Sequence, residues 1–547
     1  MNHLNLYQKW QANTKDDSLL AEISSIKSDD AAIYERFFTD LEFGTGGIRG
    51  IMGVGTNRMN VHTVGRIAYG LARHIKNGKI AIAYDSRHNS QKFAYHAAAV
   101  MATNGIVVHI FEDLAATPLL SYAVRHLNCN AGIMLTASHN PKDYNGLKAY
   151  GADGCQLGLN ESEKVIEIIN STDIFDVAAQ DFEVLKSQGK INFISKDLIE
   201  SYYNEVLAMQ VKPQILQSTN LKVVYTPLNG TGLKPICDIF KKAGLFNIAV
   251  VAEQANPDGS FATCEYPNPE SEAAFALAIR DGKQLNADIL IATDPDADRT
   301  GVMFLHKNEY KMLTGNQAGV LMLDYILTHK IVQNPVAIKT IVTTKLADLV
   351  AAKHNCEIID VLTGFKFIGE QIALLESKGE INRYILGFEE SYGYLLGTYA
   401  RDKDAISAAL MLAEIAAFYK DLNMTLFDAL EKIYNEHGFF FETQLNIAFS
   451  GADSMQKMRE VMQNLRQNPL KDLAGESVTK AVDYNTDGTN LPKSDVLEFA
   501  TKNASVIARP SGTEPKIKVY ISAKAADEQT TKSFLEKIKA EMNAIFN

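Results

Sequence analysis

The chain has 547 residues, too long for a single hydrophobic core, and at about 150 residues per domain this length predicts three or four domains. Its composition, 46% hydrophobic and 22% charged, is that of a folded globular protein. A net charge of −11 without a dominant basic stripe argues against a protein that binds nucleic-acid backbones.

Cysteine usage and apolar segments indicate the compartment. The five cysteines, at positions 129, 155, 237, 264 and 356, are scattered and form no CxxC pair, which predicts reduced thiols. No apolar signal-peptide core is visible at the start. The most apolar helical stretch, "AISAALMLAEIAAFY", is too short to span a bilayer and contains Glu414. We expect a cytoplasmic protein with no membrane or nucleic-acid partner. The sequence does not indicate its oligomeric state.

In chain order, a polar and helical lead-in gives way to alternating strands and helices. "KIAIAY", "IVVHIF" and "AGIML" read as buried strands, and "FAYHAAAVMATNG" reads as a helix capped by Gly105. The same pattern restarts at "LKVVYTPLNGTG" and at "PVAIKTIVTT". Such alternation predicts α/β layers with mostly parallel sheets. The last hundred residues differ, because "FFFETQLNIAF" alternates and a strand–loop–strand–helix pattern follows it.

The predicted fold class is α/β: three related α/β mixed-sheet domains plus a C-terminal α+β domain around a central cleft. The predicted boundaries are 1–40 for an N-terminal helical extension, 41–195, 196–308 and 309–430 for the three α/β domains, and 431–547 for the α+β domain. Three apolar runs end in the polar loops "TASHN", "DPDADR" and "EESYG". Ligands of open α/β sheets bind beyond the carboxyl ends of strands, so these loops and "RPSGTEPK" are expected to face one another.

Alternating aspartates follow the strand "DILIAT" in the stretch "DPDADR". If the loop curls, Asp294, Asp296 and Asp298 converge, and their repulsion then requires a cation. Oxygen ligands without His or Cys select Mg²⁺ over zinc. An EF-hand is excluded because Arg299 stands where that loop needs glycine and Leu305 where it needs glutamate.

A second interpretation of this stretch is open. Asp296, Asp298 and Thr300 satisfy the DxDxT pattern of haloacid-dehalogenase-like phosphatases, whose first aspartate becomes phosphorylated. That motif usually ends the first strand of its catalytic domain, whereas here it lies past the middle of the chain.

Ser138, in "TASHNPKDYNGLKAYG", has three possible roles: a nucleophile, a helix cap or a carrier of phosphate. No GxSxG elbow surrounds it, so serine-hydrolase chemistry is not indicated. Serine after a strand commonly caps the next helix. A phosphate on Ser138 beside three aspartates and Mg²⁺ would instead meet the needs of phosphoryl transfer. His139 is a weak candidate base, and Lys148 follows what reads as an Asn-Gly turn.

Three further stretches have the composition of ligand-binding loops. "RPSGTEPK" combines an arginine fork with hydroxyls and backbone amides, which suits a phosphate. "FGTGGIRG" places an arginine on a Gly-rich loop but supports neither a dinucleotide fingerprint nor a P-loop. "GFEESYG" offers a carboxylate that can accept hydrogen bonds from two sugar hydroxyls. The residues concerned are Arg509, Ser511, Gly512, Thr513, Arg49, Glu389 and Ser391.

Together these motifs resemble the α-D-phosphohexomutase family, which comprises phosphoglucomutases, phosphomannomutases and their relatives. "TASHNP" with "DPDADR" is highly specific, and "EESYG" and "RPSGT" follow in the family's order. The resemblance runs from about residue 40 to the end. It is strongest to the long phosphoglucomutase/phosphopentomutase-type subgroup, which also has an N-terminal extension and an "FGTGGIRG" opening.

The resemblance implies a role for each matched residue. Ser138 would be the phosphoserine and would hold one Mg²⁺ per subunit together with Asp294, Asp296 and Asp298. Substrate binding would fall to Arg299, Thr363, Gly364, Glu389, Ser391, Lys403, Arg509, Ser511, Gly512 and Thr513. Charge stabilisation and proton transfer would fall to Arg49, Arg299 and Lys148. Tyr392, Gly393 and Tyr394 stand where some relatives have a histidine, which leaves the general base open; Lys148 is preferred, and His139 is the second candidate.

The implied reaction interconverts sugar 1-phosphates and sugar 6-phosphates through a bisphosphate, with a hexose 1,6-bisphosphate as primer. Glucose phosphate is the favoured substrate, with mannose and pentose phosphates as alternatives. One departure is Asn229 in "TPLNG", where the family commonly has histidine. An aspartyl-phosphate phosphatase and a non-catalytic sugar-phosphate sensor remain as the other two hypotheses.

Overall fold

A computed structural model describes residues 2–44, 46–451, 453–486, 488–512 and 514–546. The chain starts with three short helices, each capped by an Asn or Asp side chain that accepts a first-turn amide. They are α1 (His3–Asn13), α2 (Asp17–Ser25) and α3 (Asp30–Phe37). The predicted helical lead-in is therefore present. Its apolar faces enclose Trp10, which is fully buried.

The first sheet carries the Ser138 loop. Its strands are β1 (Gly47–Ile51), β2 (Gly78–Tyr84), β3 (Ile106–Ile110), β4 (Ala131–Leu135), β5 (Tyr144–Gly151) and β6 (Ile191–Phe193). They lie in the order β1-β5-β4-β2-β3-β6, antiparallel around β5 and parallel elsewhere. The accompanying helices are α4 (Val61–Ile75), α5 (Ser90–Thr103), α6 (Thr117–His126), α7 (Leu159–Ser171) and α8 (Phe182–Ser187).

The second sheet carries the aspartate loop. Its strands are β7 (Val223–Thr226), β8 (Ile248–Val250), β9 (Ile289–Thr293), β10 (Thr300–His306) and β11 (Glu309–Met312), in the order β11-β10-β9-β7-β8. Its helices are α9 (Lys196–Leu207), α10 (Gln214–Ser218), α11 (Leu233–Ala243), α12 (Ala252–Ala255) and α13 (Ala276–Leu285), with a 3₁₀ turn at Glu272–Phe275. Because β9 is buried along its whole length, it delivers the loop after it into the interior.

The third sheet carries the "EESYG" loop. Its strands are β12 (Val336–Thr340), β13 (Glu357–Val361), β14 (Tyr384–Glu389) and β15 (Gly393–Leu395), in the order β13-β12-β14-β15. Its helices are α14 (Gly315–His329), α15 (Leu346–Lys353), α16 (Phe365–Ser377), α17 (Ala405–Asp421) and α18 (Leu426–His437), with a 3₁₀ turn at Ile381–Arg383.

The fourth unit is an antiparallel sheet backed by two helices. Its elements are β16 (Phe439–Ala448), α19 (Ser454–Gln467), β17 (Asp472–Leu473), β18 (Glu476–Ser477), β19 (Lys480–Asp483), β20 (Leu497–Ala500), β21 (Ala504–Pro510), β22 (Lys516–Ala525) and α20 (Glu528–Phe546). The main sheet has the order β16-β22-β21-β20-β19, and β17 pairs with β18 apart from it. The predicted class is confirmed: three mixed α/β sheets and one α+β unit.

Two local predictions from the sequence differ from the structure. Arg49 lies in strand β1 rather than on a flexible loop, paired opposite Gly146 of β5. Asn145 and Gly146 continue β5 and form no turn. A side chain at Gly146 would meet the carbonyl oxygens of Thr136 and Ile48 at 2.6 and 2.7 Å, so glycine is present to let three backbone segments approach closely. The domain boundaries stay predictions. Among the described helices, none is both long and apolar enough to cross a membrane.

Asp404, at the start of α17, ties the third unit to the rest of the molecule. Its buried carboxylate accepts hydrogen bonds from the hydroxyls of Tyr202 (3.0 Å) and Tyr399 (2.6 Å). The backbone amides of Ile406 and Ser407 donate to its other oxygen. Because Tyr202 lies on α9, this single carboxylate links two domains.

Replacing this carboxylate is expected to destabilise the protein. Asp404→Ala would remove a helix cap and leave two buried tyrosine hydroxyls without their acceptor, lowering the free energy of unfolding by about 3 kcal/mol. Urea unfolding followed by circular dichroism measures the change. The control is Asp421→Ala, which removes an exposed carboxylate from the other end of the same helix. Equal stability of the two variants would contradict the prediction.

Candidate active site

Three aspartates after β9 converge as the sequence predicts. Asp294, Asp296 and Asp298 are 0%, 0% and 2% exposed, and they can offer carboxylate oxygens within 4.8 Å of one another. The loop closes on itself, since one Asp294 oxygen accepts hydrogen bonds from the amides of Asp298 (3.1 Å) and Arg299 (3.0 Å). Ala297, between two of the aspartates, has a φ of 51°, which lets the chain fold back so tightly.

Burial and mutual repulsion make this cluster electrostatically costly. Burial first, and then the Asp296 and Asp298 carboxylates, raise the pKa of Asp294 well above its usual range. Burial acts in the same direction on Asp298, but Lys148 and Lys403 outweigh it and hold the pKa of that carboxyl below its usual range. The site therefore keeps its negative charge only where a cation lies beside it.

The donor set fits a divalent cation. Among the described residues, Asp296 and Asp298 each keep one buried Oδ1 atom without a hydrogen-bond partner. Buried carboxylate oxygens in this state are available as metal ligands, and an oxygen-only set suits Mg²⁺. The three aspartates could thus hold such an ion, with the Ser138 oxygen beside them.

Ser138 lies directly against this cluster. Its Oγ donates to Asp294 Oδ2 at 2.7 Å, and its amide donates to Thr136 Oγ1 at 2.8 Å. The loop that carries Ser138 runs into strand β5, so the serine does not cap a following helix. Ser138 has a φ of 51°, a left-handed conformation that non-glycine residues adopt only when their surroundings hold them there. That strain is characteristic of functional loops.

Arg87 holds the Ser138 loop, a role that the sequence analysis missed. Its buried guanidinium donates to the carbonyl oxygens of Pro141 (2.8 Å) and Tyr144 (3.2 Å) and to that of Ser138. The guanidinium also lies 5.0 Å from the Phe261 ring centre. The only available signal was that Arg87 follows the strand β2, as the other polar loops follow theirs.

The two candidate bases are held in different charge states. Lys148 donates to Asp296 Oδ2 at 2.7 Å and to Asp298 Oδ2 at 2.8 Å. Burial acts to lower the pKa of Lys148, but these carboxylates outweigh it, and the amine is held as an ammonium. His139 Nδ1 lies 3.3 Å from Ser138 Oγ. Burial and the nearby Arg299 lower the pKa of His139 to about 2, which makes its imidazole a neutral and weak base.

Two arginines flank the cluster. Arg49 donates to the amide oxygen of Asn140 at 2.7 Å, within the Ser138 loop. Arg299 pairs with Glu270, and its Nε lies 3.8 Å from Asp298 Oδ1. Glu270 is a second residue that the sequence analysis missed, because it comes from a loop 29 residues earlier in the chain.

The residues predicted to bind sugar line the same cleft. Glu389 is buried, and Lys403 Nζ lies 3.2 Å from Asp298 Oδ2, so the third unit reaches the aspartate loop. Thr363 keeps a buried hydroxyl without a hydrogen-bond partner in the described residues. Gly364 has a φ of 122°, which favours glycine. Thr363, Gly364, Glu389, Ser391 and Lys403 all line the cleft.

The cleft has a volume of about 1000 Å³, and all four sheets contribute to it. In the fourth unit, Arg509 lines the cleft together with Lys516 and Lys518, two residues that the sequence did not single out. Arg509 on β21 pairs directly opposite Lys518 on β22, and Lys516 projects from the same face two residues away. The structure thus brings three basic side chains together where the fourth unit lines the cleft that Asp298 also lines.

After Arg509, the described residues of the "RPSGT" loop lie away from the lining of the cleft. Ser511 Oγ accepts a hydrogen bond from the Glu514 amide at 3.2 Å within the loop itself. Neither Ser511 nor Gly512 is among the residues that line the cleft. Thr513 lies outside the described residues.

The chain belongs to the phosphoglucomutase/phosphomannomutase family. The models of the family's α/β/α domains I, II and III match residues 40–174, 200–307 and 314–437, and the model of its C-terminal domain matches residues 445–541. Similar proteins named phosphoglucomutase come from Staphylococcus haemolyticus and Staphylococcus saprophyticus. The first is 38% identical over 93% of this chain and 94% of its own length, and the second is 36% identical over 90% and 92%.

A solved structure shows the same fold. It is that of the exocytosis-sensitive phosphoprotein parafusin, a phosphoglucomutase from Paramecium, in an open form. It superposes with a TM-score of 0.69 at 19% identity, covering 93% of this chain and 95% of its own.

The aspartate cluster is expected to set the affinity of the protein for Mg²⁺. Asp296→Asn would remove one anionic oxygen ligand and is expected to raise the Mg²⁺ concentration needed for half-maximal sugar phosphate turnover by about 10-fold or more. Titration of the chelator-treated protein with Mg²⁺ measures this. Asp281→Asn, at a partly exposed carboxylate on helix α13 of the same domain, serves as the control. An unchanged Mg²⁺ requirement in Asp296→Asn would rule out this metal site.

Glu390 gives the cleft a group that titrates near neutral pH. Its carboxyl accepts from the hydroxyls of Thr340 (3.2 Å) and Thr343 (3.4 Å). Burial, and then the adjacent Glu389 carboxylate, raise the pKa of Glu390 to about 7. It faces Glu270 and, across the cleft, Lys518; burial and then the adjacent Arg509 lower the pKa of Lys518, and the Glu390 carboxylate opposes that shift.

Ionisation of Glu390 is expected to weaken the binding of a sugar phosphate as the pH rises. Below pH 7 the raised pKa keeps Glu390 protonated, and above it the carboxylate adds a negative charge that repels a sugar phosphate. We expect the KM to rise about 5-fold between pH 6 and 8, corresponding to about 1 kcal/mol of repulsion. Steady-state kinetics of Glu390→Gln should show a flatter profile, and those of Glu436→Gln, at an exposed site, the wild-type one. Parallel profiles for all three proteins would contradict the prediction.

Proposed function

We propose that the protein is a phosphoglucomutase, which interconverts glucose 1-phosphate and glucose 6-phosphate through phosphorylated Ser138. One observation carries the proposal: the Ser138 hydroxyl donates at 2.7 Å to a buried carboxylate of a three-aspartate cluster that fits Mg²⁺. A serine hydroxyl in such a setting suits phosphoryl transfer rather than acyl transfer. The relatives named phosphoglucomutase support glucose as the sugar.

The transfer balances without loss of groups. The bond between phosphorus and Ser138 Oγ breaks as a bond forms between phosphorus and the free sugar hydroxyl, which gives glucose 1,6-bisphosphate. The hydroxyl loses a proton, and the Ser138 oxygen regains one. In the second half, the other phosphate of the bisphosphate returns to Ser138. Mg²⁺, when bound, would neutralise charge on the phosphoryl oxygens.

The residues of the chain divide this work between the two ends of the cleft. Near Ser138, Lys148, Arg49 and Arg299 offer positive charge to the phosphoryl group in transfer. At the other end, Arg509 and its neighbours Lys516 and Lys518 offer cations to the phosphate that does not react. Between the two phosphates, Glu389 and Ser391 of the "EESYG" loop would accept hydrogen bonds from the sugar hydroxyls.

The bisphosphate has to turn end for end between the two half-reactions. The distal cations must release one phosphate and then take up the other, so we propose that the fourth unit opens during turnover. Glucose 1,6-bisphosphate would also act as the primer that first phosphorylates Ser138. All five cysteines are free, and we keep the cytoplasm as the proposed location because reduced thiols suit it.

A phosphoenzyme assay tests the function. Wild-type protein primed with glucose 1,6-bisphosphate is expected to gain an acid-stable phosphate on Ser138 and to convert glucose 1-phosphate in a coupled assay. Ser138→Ala should lose both, with a fall in kcat of about 10⁴-fold or more. Ser121→Ala, at a buried serine whose hydroxyl bonds the Gly154 carbonyl, controls for general damage.

The other outcomes identify the alternatives. An acid-labile, hydroxylamine-sensitive phosphate that survives Ser138→Ala would indicate a phosphatase acting through Asp296. Binding without phosphate exchange would indicate a sugar-phosphate sensor. Faster turnover of mannose 1-phosphate or ribose 1-phosphate in the same assay would replace glucose as the substrate.

A further inference from the structure

The turn after strand β1, residues 52–58, rests on the N-terminal helices. This turn directly follows the strand that carries Arg49. Val54, at its centre, is fully buried in a cluster that includes Trp10 and Phe37. The amide of Asn57 donates to the carbonyl of Arg36 at 3.0 Å. Helices α1–α3 precede the first family domain, which begins at residue 40, and yet they shape a segment of it.

Glu22 makes the central contact between the helices and the turn. One of its carboxylate oxygens accepts the Val54 amide at 2.8 Å, and the other accepts Arg36 Nε at 3.1 Å. Both partners are donors, so this carboxylate satisfies a backbone amide and a guanidinium at once. Glu22 is itself fixed by the helix α2 on which it lies.

Two glycines allow the turn to lie this close. Gly53 has a φ of 146°, and a side chain there would meet a Glu22 oxygen at 2.9 Å. Gly55 has a φ of 120°, and a side chain there would meet the Arg36 carbonyl oxygen at 2.4 Å. Both the backbone conformation and the close approach therefore require glycine. The pattern "IMGVG" is thus explained by contact with the extension.

The turn in its own right contacts the Ser138 loop. The amide of Met52 donates to the Asp143 carbonyl at 2.8 Å, and Ile51 pairs with Tyr144 in the sheet. From the same strand, Arg49 reaches Asn140 at 2.7 Å. Hydrogen bonds at both ends of the turn, joined by its backbone, therefore connect α2 to the loop that carries the reacting serine.

We propose that Glu22 is a positioning residue of the active site and that the N-terminal helices act through it. By holding the Val54 amide, Glu22 fixes the turn and thereby the strand that aims Arg49 and braces the Ser138 loop. The inference rests on the proposed mutase function for its kinetic consequence. Its structural part, that Glu22 orders both the turn and the Ser138 loop, stands without it.

The test compares three full-length variants. Glu22→Ala removes the acceptor, Glu22→Gln keeps an amide oxygen that can accept the Val54 N–H, and Asp17→Ala removes an exposed carboxylate from the same helix. We expect Glu22→Ala to lower kcat about 10-fold or more, because small misplacements of reacting groups are costly. Glu22→Gln should recover most of the rate, and Asp17→Ala should match the wild type. The rate should remain low at saturating Mg²⁺, because the displaced groups are Arg49 and the Ser138 loop and not the three aspartates, which lie on another sheet.

Hydrogen exchange separates this inference from the proposed function. In Glu22→Ala, peptides covering residues 50–58 and 138–146 should exchange faster, with no change in peptides from the aspartate loop. If the wild type shows no mutase activity, the proposed function fails, and the exchange data alone decide the structural part. Equal rates and equal exchange in Glu22→Ala and Asp17→Ala would overturn the inference. Should Glu22→Ala fail to fold, Glu22→Met, which keeps the side-chain volume, is measured against the same two outcomes.

Discussion

The active site depends on three aspartate carboxylates that the fold holds close together in the interior of the protein. Burial and repulsion oppose that placement, and each would keep the aspartates apart in an isolated peptide. Strand β9, buried along its length, and the tight loop after it impose the convergence, and Lys148 and Lys403 supply compensating charge. The site therefore favours a bound cation, and Ser138 lies where such a cation could take part in its chemistry.

The basic side of the cleft, in the fourth unit, results from the alternation of side chains along a strand. In β22 the side chains alternate, so Ile517 and Val519 enter the core of the fourth unit while Lys516 and Lys518 face the cleft. Pairing of β21 with β22 then sets Arg509 beside Lys518. These basic side chains line the same cleft as Asp298. In the proposed mechanism, a sugar with a phosphate at each end would lie between them and the Ser138 loop in either direction.

How far the sequence predicted this site depended on whether the signal was local. Asp294, Asp296, Asp298 and Ser138 could be found because each follows a strand, and a strand end is readable from a run of apolar residues. Glu270 and Lys518 were missed because their roles arise from contacts between segments distant in the chain. Arg87 also follows a strand, but its role depends on contacts with the Ser138 loop, more than 50 residues further along the chain. Arg49 was found by its motif but assigned to a loop. Glycines on both sides obscured a strand whose pairing with β5 only the tertiary structure supplies.

The charge states of Lys148 and His139 constrain how the proton can move. A lysine held as an ammonium between two carboxylates can donate a proton but cannot accept one, and an imidazole with a pKa near 2 is a poor acceptor. A loose transition state for phosphoryl transfer makes little demand on a base, since the sugar hydroxyl keeps most of its proton until the new bond forms. In the proposed mechanism, Lys148 would then supply the proton that the departing Ser138 oxygen takes up. If Lys148 is instead to take up the proton of the sugar hydroxyl, it must first leave Asp296 and Asp298 and lose its own proton. A divalent cation bound to those aspartates in place of the ammonium would favour both changes.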